Sequence, residues 1–156
     1  MEEIIKLLIE KNKTISTMES CTGGYLANCI TNINDSSKVF KFGAVTYSNE
    51  YKIKMGVDKN IIDTYSVYSM ETAHEMSKNI SNFTQSDYGV GITGKLYYQD
   101  QANPYGSDNK VFVSIYSKEL DKYLDKEIEV EDKTRKENKE LIIDKVIELL
   151  KEIIKG

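Results

Sequence analysis

Ile4, Ile5, Leu8 and Ile9 fall on one stripe at helical spacing, and the pattern predicts an amphipathic helix over residues 2–12. Over 14–18 the residues become short, β-branched and apolar, and the run ends at a turn around Ser20, so it reads as a strand. Leu26, Ala27, Ile30 and Ile33 restore the helical stripe over about 23–33, with Thr22 as the expected capping hydroxyl. Asn34-Asp35-Ser36-Ser37 is a turn, and 43–47 a second strand. Ser48 or Asn49 is expected to cap a short helix over 50–54 that Gly56 stops. Ser69 caps a longer helix reaching about residue 83, with Met70, Ala73, Met76, Ile80 and Phe83 turned inward.

Residues 88–93 form a buried strand, 110–117 and 123–130 a strand pair. A final helix over 133–154 carries Ile142, Ile143, Val146, Ile147, Leu150 and Ile154 on a wide apolar face. Helices and strands in this order favour a three-layer α/β/α sandwich with a mixed central sheet, formed by one domain over 1–156. The stretch 94–109 holds Pro104, Gly106 and three tyrosines, and a connection of that length is often functional.

Composition narrows the partners. The 156 residues are enough to bury roughly 70% of the unfolded surface without disulfide or metal. A net charge of −4, with 29% charged residues of mixed sign, argues against nucleic acid or an anionic membrane as the main partner. Arg135 is the one arginine, so a bidentate anion clamp has a single owner. Cys21 and Cys29 lack zinc-ligand and CxxC spacing, and one histidine cannot complete a Cys/His set. No metal or cofactor is therefore expected, and the two cysteines read as reduced thiols of a cytoplasmic protein. There is no signal-peptide pattern and no apolar run near 18 residues. A homo-oligomer is compatible with the chain.

Glu19-Ser20-Cys21-Thr22-Gly23-Gly24 puts a hydroxyl and a thiol side by side where a strand gives way to a helix. Such a turn holds a nucleophile at a strand's carboxyl end and turns helix N–H groups toward whatever is attacked. A serine needs a base. His74 lies about 120° from the centre of its helix's apolar stripe, a flanking and solvated place, so a Ser-His-Asp triad is disfavoured. Tyr47 and Lys52, in Tyr47-Ser48-Asn49-Glu50-Tyr51-Lys52, are the better candidates, at a strand end and the start of the following helix. Bringing a lysine from ~10.4 to near 7 takes about 4–5 kcal/mol of desolvation or neighbouring charge, and the phenol of Tyr47 could share the proton.

Cys21 is the competing nucleophile, since a helix N-terminus favours a thiolate; apolar packing is its plainer role, as it is for Cys29. Gly89-Val90-Gly91-Ile92-Thr93-Gly94 matches the dinucleotide fingerprint as a string, but its glycines fall within a strand. Close approach of a neighbouring element explains Gly89 and Gly91 better, while Thr93 at the strand end faces the Ser20 crevice.

The segments that carry chemistry resemble, in order, the CinA C-terminal domain family, whose stand-alone members include nicotinamide-nucleotide amidohydrolases. The matches are the Glu19–Gly24 motif, Ser36-Ser37 with Phe40, and Gly43 through Tyr47-Ser48-Asn49-Glu50 with Lys52. Gly56-Val57, Val67 with Ser69 and Met76, and Asp87 through Ile92-Thr93-Gly94 follow. The likeness holds register from about residue 14 to 94 and is looser beyond. The chain reads as starting directly at this domain, without the amino-terminal domain of full-length relatives.

The resemblance implies an α/β/α fold and hydrolysis of the carboxamide of nicotinamide mononucleotide to nicotinate mononucleotide and ammonia. It implies a nucleophile at Ser20, the base pair at Tyr47 and Lys52, and a further hydroxyl at Thr93. Asn49, the Thr22-Gly23-Gly24 backbone, Lys133 and Arg135 join the expected substrate-binding set. Two departures stand out. Lys95-Leu96-Tyr97-Tyr98-Gln99 replaces the family's Ile-Ala-Gly-Pro and glycine-rich turn, and Glu131-Asp132-Lys133 replaces Gly-Asp-Arg. They motivate an alternative, a catalytically weakened member that binds a nucleotide or a protein.

Overall fold

The computed structural model describes residues 1–98, 101–102 and 106–156. Of the stretch 94–109, residues 99, 100 and 103–105, Pro104 and one of the three tyrosines among them, lie outside the described residues. The elements are α1 (Glu2–Glu10), β1 (Ile15–Glu19), α2 (Tyr25–Thr31), β2 (Phe40–Val45), α3 (Asn49–Lys54) and α4 (Lys59–Tyr65). They continue as α5 (Met70–Thr84), β3 (Tyr88–Gly94), β4 (Lys110–Ser117), β5 (Lys122–Glu129) and α6 (Arg135–Lys155). A short 3₁₀ turn spans Ser36–Lys38.

The sheet order is β2-β1-β3-β4-β5. β1 runs parallel to both neighbours, pairing Glu19 with Val45 on one side and Ile92 on the other. β3–β4 and β4–β5 are antiparallel, so the sheet is mixed and the fold is α/β. The chain leaves β1 for one neighbour and returns to the other. That makes the carboxyl end of β1 the switch point where α/β sheets open a crevice.

Two unequal cores flank the sheet. On one face Ile4, Ile5 and Leu8 of α1, Leu26 and Ile30 of α2, and Ile142, Val146 and Leu150 of α6 bury against Ile15, Val90, Ile92 and Val113. The other face is smaller, with Met18, Ile62, Met76 and Ile80 packed with Val57 and Val67. There α5 lies almost on the backbone of β3. A Cβ at Gly89 would stand 2.0 Å from the Ser77 carbonyl oxygen, and one at Gly91 2.5 Å from that of Ala73. The close approach expected at these glycines is present.

Four expectations need correction. β2 lies earlier than 43–47 because it is an edge strand whose Lys41 and Phe42 face solvent, which breaks the apolar run. The helix α4, capped by the Asp58 carboxylate on the Asn60 N–H, has one buried side chain, Ile62, too little periodicity to read. Phe83 is 64% exposed, not inward; it sits one residue before the end of α5, against Phe42 with ring centroids 5.4 Å apart. Thr22 does not cap α2. Gly24, left-handed at φ 95°, occupies the cap position, and the cap itself is a carboxylate.

Candidate active site

That carboxylate is Glu19, fully buried at the last position of β1. It accepts the N–H groups of Leu26 (2.8 Å) and Ala27 (3.0 Å) and the hydroxyl of Thr22 (2.7 Å). A helix N-terminus offers unpaired donors and partial positive charge, so a carboxylate satisfies both at once. The effect is to tie the first turn of α2 to the end of β1, with the Ser20 turn held between them. Ser20 donates its own N–H to the Ile92 carbonyl (3.0 Å), while its carbonyl accepts from Gly23 (3.0 Å). Gly23, at φ 61°, gives the turn a left-handed residue.

Lys52 arrives from α3. Ser48 caps that helix on the Tyr51 N–H, and the first turn carries Lys52 back over the end of β1. The side chain is 1% exposed. Its Nζ lies 2.9 Å from Ser20 Oγ and donates to the Thr46 carbonyl at 2.7 Å. With a neutral amine the Ser20 contact reverses, the hydroxyl donating to the nitrogen lone pair at the same separation. A hydroxyl and an amine at this separation are within proton-transfer distance.

The two groups open into a cavity of about 480 Å³, a size suited to a nucleotide-like ligand. Tyr47, Ser48, Asn49, Val67, Tyr68, Gly94, Lys95, Leu96, Tyr98, Ala102 and Arg135 complete its lining with Cys21. Tyr47 is 64% exposed at the mouth, where its phenol oxygen accepts from Arg135 Nη2 at 3.2 Å. The phenol therefore meets the guanidinium, with no hydrogen bond to Ser20 or Lys52 among the described residues. Cys21 is buried, and burial pushes its thiol up to about 12 against the weaker pull of Lys52 and Arg135. That shift favours a protonated, packed thiol over a thiolate at neutral pH.

Of the sequence-derived residues, Ser20, Tyr47, Asn49, Lys52 and Arg135 share the cavity. Thr22, Gly23, Gly24, Thr93 and Lys133 do not line it. Thr22 is turned to Glu19, and Thr93 Oγ1 donates to the Val67 carbonyl at 2.9 Å. Lys133 pairs with Glu131 at 3.0 Å on the surface. His74 stands apart, with Nε2 2.5 Å from Asp125 and its ring stacked on Tyr123. Two residues carry charge or hydrogen-bond partners that the sequence reading gave no role: Glu19, buried behind Ser20 and outside the lining, and Lys95 on the cavity wall. Glu19 stands four residues before Gly23, and nothing in that local pattern marks its burial. Among the described residues no cluster of three or more His, Cys, Asp or Glu could hold a metal ion, and no helix is long and apolar enough to cross a membrane.

Comparison with known proteins places this geometry in context. The model of the CinA C-terminal domain matches residues 1–154. A relative from Clostridium kluyveri named for competence-damage induction is 41% identical over 120 residues, 76% of this chain and 29% of its own length. A CinA-like protein of Desulforapulum autotrophicum is 42% identical over 94 residues, 60% of this chain and 22% of its own length. The chain thus spans about a quarter of the curated relatives it matches. Among solved structures, a CinA superfamily protein of Klebsiella pneumoniae superposes with a TM-score of 0.86 at 21% identity, covering 98% of this chain and 94% of that one. The competence/damage inducible protein CihA of Agrobacterium tumefaciens gives 0.80 at 28% identity, covering 98% and 93%.

Proposed function

The chain belongs to the CinA C-terminal domain family, and from that premise we propose that it hydrolyses the carboxamide of nicotinamide mononucleotide, releasing ammonia and nicotinate mononucleotide. The observation that carries the proposal is the 2.9 Å contact between a buried lysine amine and the Ser20 hydroxyl. The lining of the cavity supports an anionic substrate. Lys52, Lys95 and Arg135 line it, and among the described residues no carboxylate does. A cavity of one sign concentrates ligands of the other, even in a chain whose net charge is −4.

In this mechanism neutral Lys52 takes the Ser20 proton as Oγ attacks the carboxamide carbon, forming a C–O bond and a tetrahedral oxyanion. In this reading the backbone N–H of Cys21, the residue after the nucleophile, donates to that oxyanion. Protonated Lys52 then delivers the proton to the departing nitrogen, the C–N bond breaks, and ammonia leaves an ester on Ser20. Water, deprotonated by Lys52, cleaves the ester and returns the hydroxyl. Tyr47 takes a different part from the shared base first expected. With its oxygen accepting from Arg135, its own proton is directed to substrate at the cavity mouth.

Purified protein with nicotinamide mononucleotide is expected to release ammonia. Ser20→Ala is expected to lower kcat by at least ~10³-fold with folding intact, the scale of a lost nucleophile. Unchanged ammonia release by that variant removes Ser20 from the mechanism. A second reading, binding without turnover, draws on Lys133 standing outside the cavity where the resemblance implies an anion-binding arginine. Tight nucleotide binding with no ammonia release from the unmutated protein would favour it.

A further inference from the structure

Lys95 stands where the chain departs from its family's pattern. Its N–H donates to the Lys110 carbonyl (3.0 Å), so pairing with the start of β4 fixes its position beyond β3. The residue is 3% exposed, yet it lines the same cavity as Ser20. Nζ lies 4.8 Å from the centroid of the Tyr68 ring and 3.5 Å from Asp108 Oδ1. That carboxylate is half exposed and stands outside the lining.

The other cations stand at other places around the site. Lys52 is directed to Ser20 and Thr46. Arg135 is exposed at the mouth, on the Tyr47 phenol, and Lys133 is outside and paired. Lys95 is buried on the cavity wall, whereas Arg135 stands exposed at its mouth. We propose that Lys95, held over the Tyr68 ring, binds the phosphate monoester of the substrate and makes this chain select phosphorylated amides over their phosphate-free counterparts. The assignment rests on the reading that the cavity takes a nucleotide carboxamide. It moves the main anion contact from the start of α6 to the end of β3.

The test uses the full chain carrying Ser20→Ala, so that nothing turns over, and measures binding of nicotinamide mononucleotide and nicotinamide riboside by calorimetry. Lys95→Met, which keeps the stem and removes the charge, is expected to weaken mononucleotide binding at least about tenfold without weakening the riboside. Lys95→Arg is expected to keep the preference. Asp108→Asn, on a half-exposed carboxylate, is expected to tighten the mononucleotide about twofold and decides the matter if Lys95→Met does not fold. Equal weakening of both ligands in Lys95→Met, no binding of the mononucleotide at all, or no change in Asp108→Asn with selectivity lost in Lys95→Arg overturns the assignment. Ammonia release by the Ser20 protein is scored separately. Lys95-dependent, phosphate-selective binding without turnover leaves Lys95 in its role and removes the hydrolase. Turnover that stays phosphate-selective in Lys95→Met does the reverse.

Discussion

At the scale of single residues, the chemistry depends on an amine kept out of water beside a hydroxyl. Lys52 Nζ touches Ser20 Oγ and the Thr46 carbonyl, contacts that remain open to a neutral amine as two donors and one lone pair. Lys52→Met should therefore lower kcat by ~10²–10⁴-fold, the range of a lost general base, while a thermal melt shows the protein folded. A fall of under about tenfold would mean that some other group takes the Ser20 proton. Cys21 gives a second prediction. Its thiol, raised to about 12 by burial, is protonated throughout the neutral range, so iodoacetamide should leave ammonia release unchanged at pH 7–8. Rapid inactivation traced to Cys21 would contradict that. Ser20 and Lys52 were legible because a turn motif and a helix start stood at recognisable separation. Glu19 and Lys95 were not, since carboxylates and ammonium groups usually lie in solvent, and nothing local marks the exceptions.

At the scale of elements, β1 and β3 are buried along their whole length and were legible as strands, while the edge strand β2 begins three residues before the expected 43–47. What positions the site is how helices meet these strands. The cap on α2 is one such joint. Glu19→Gln keeps the size but replaces an acceptor by an amide N–H₂ facing helix donors, and should cost about 1–3 kcal/mol of stability. Denaturant unfolding checks it, and an unchanged midpoint would show that the cap does not hold the turn. The face between α5 and β3 is another. Gly91→Ala puts a methyl 2.5 Å from the Ala73 carbonyl and 2.7 Å from the Ser77 nitrogen, both backbone atoms that cannot step aside. About 1–3 kcal/mol of destabilisation is expected, against a loss near zero if α5 shifts freely. The glycine pair and the helix α5 were each visible in the sequence; that the one packs on the other was not.

For the whole molecule, the mixed sheet follows from the order of elements, and the site follows from the strand order, which no local pattern encodes. Helices α1 and α6 join chain ends through Glu3, which meets Lys151 at 3.0 Å and Lys155 at 2.8 Å and keeps its carboxyl down at about 2. Because the unfolded chain binds that proton first, the contribution is complete above the ordinary value of 4.5 and is lost as pH falls through about 2. The stability difference between the protein and Glu3→Gln should shrink over that window and in 1 M salt, since all three groups are solvated. A difference independent of pH would rule the pairing out as its source. The central claim, that Lys52 activates Ser20 inside this cavity, is tested most directly by a serine-directed sulfonyl or phosphonyl fluoride read by mass spectrometry. A single adduct on Ser20, slowed at least ~10²-fold in Lys52→Met and absent from unfolded protein, is the predicted result. Labelling of Ser20 at the same rate in Lys52→Met, or modification of another residue while Ser20 stays untouched, would contradict it.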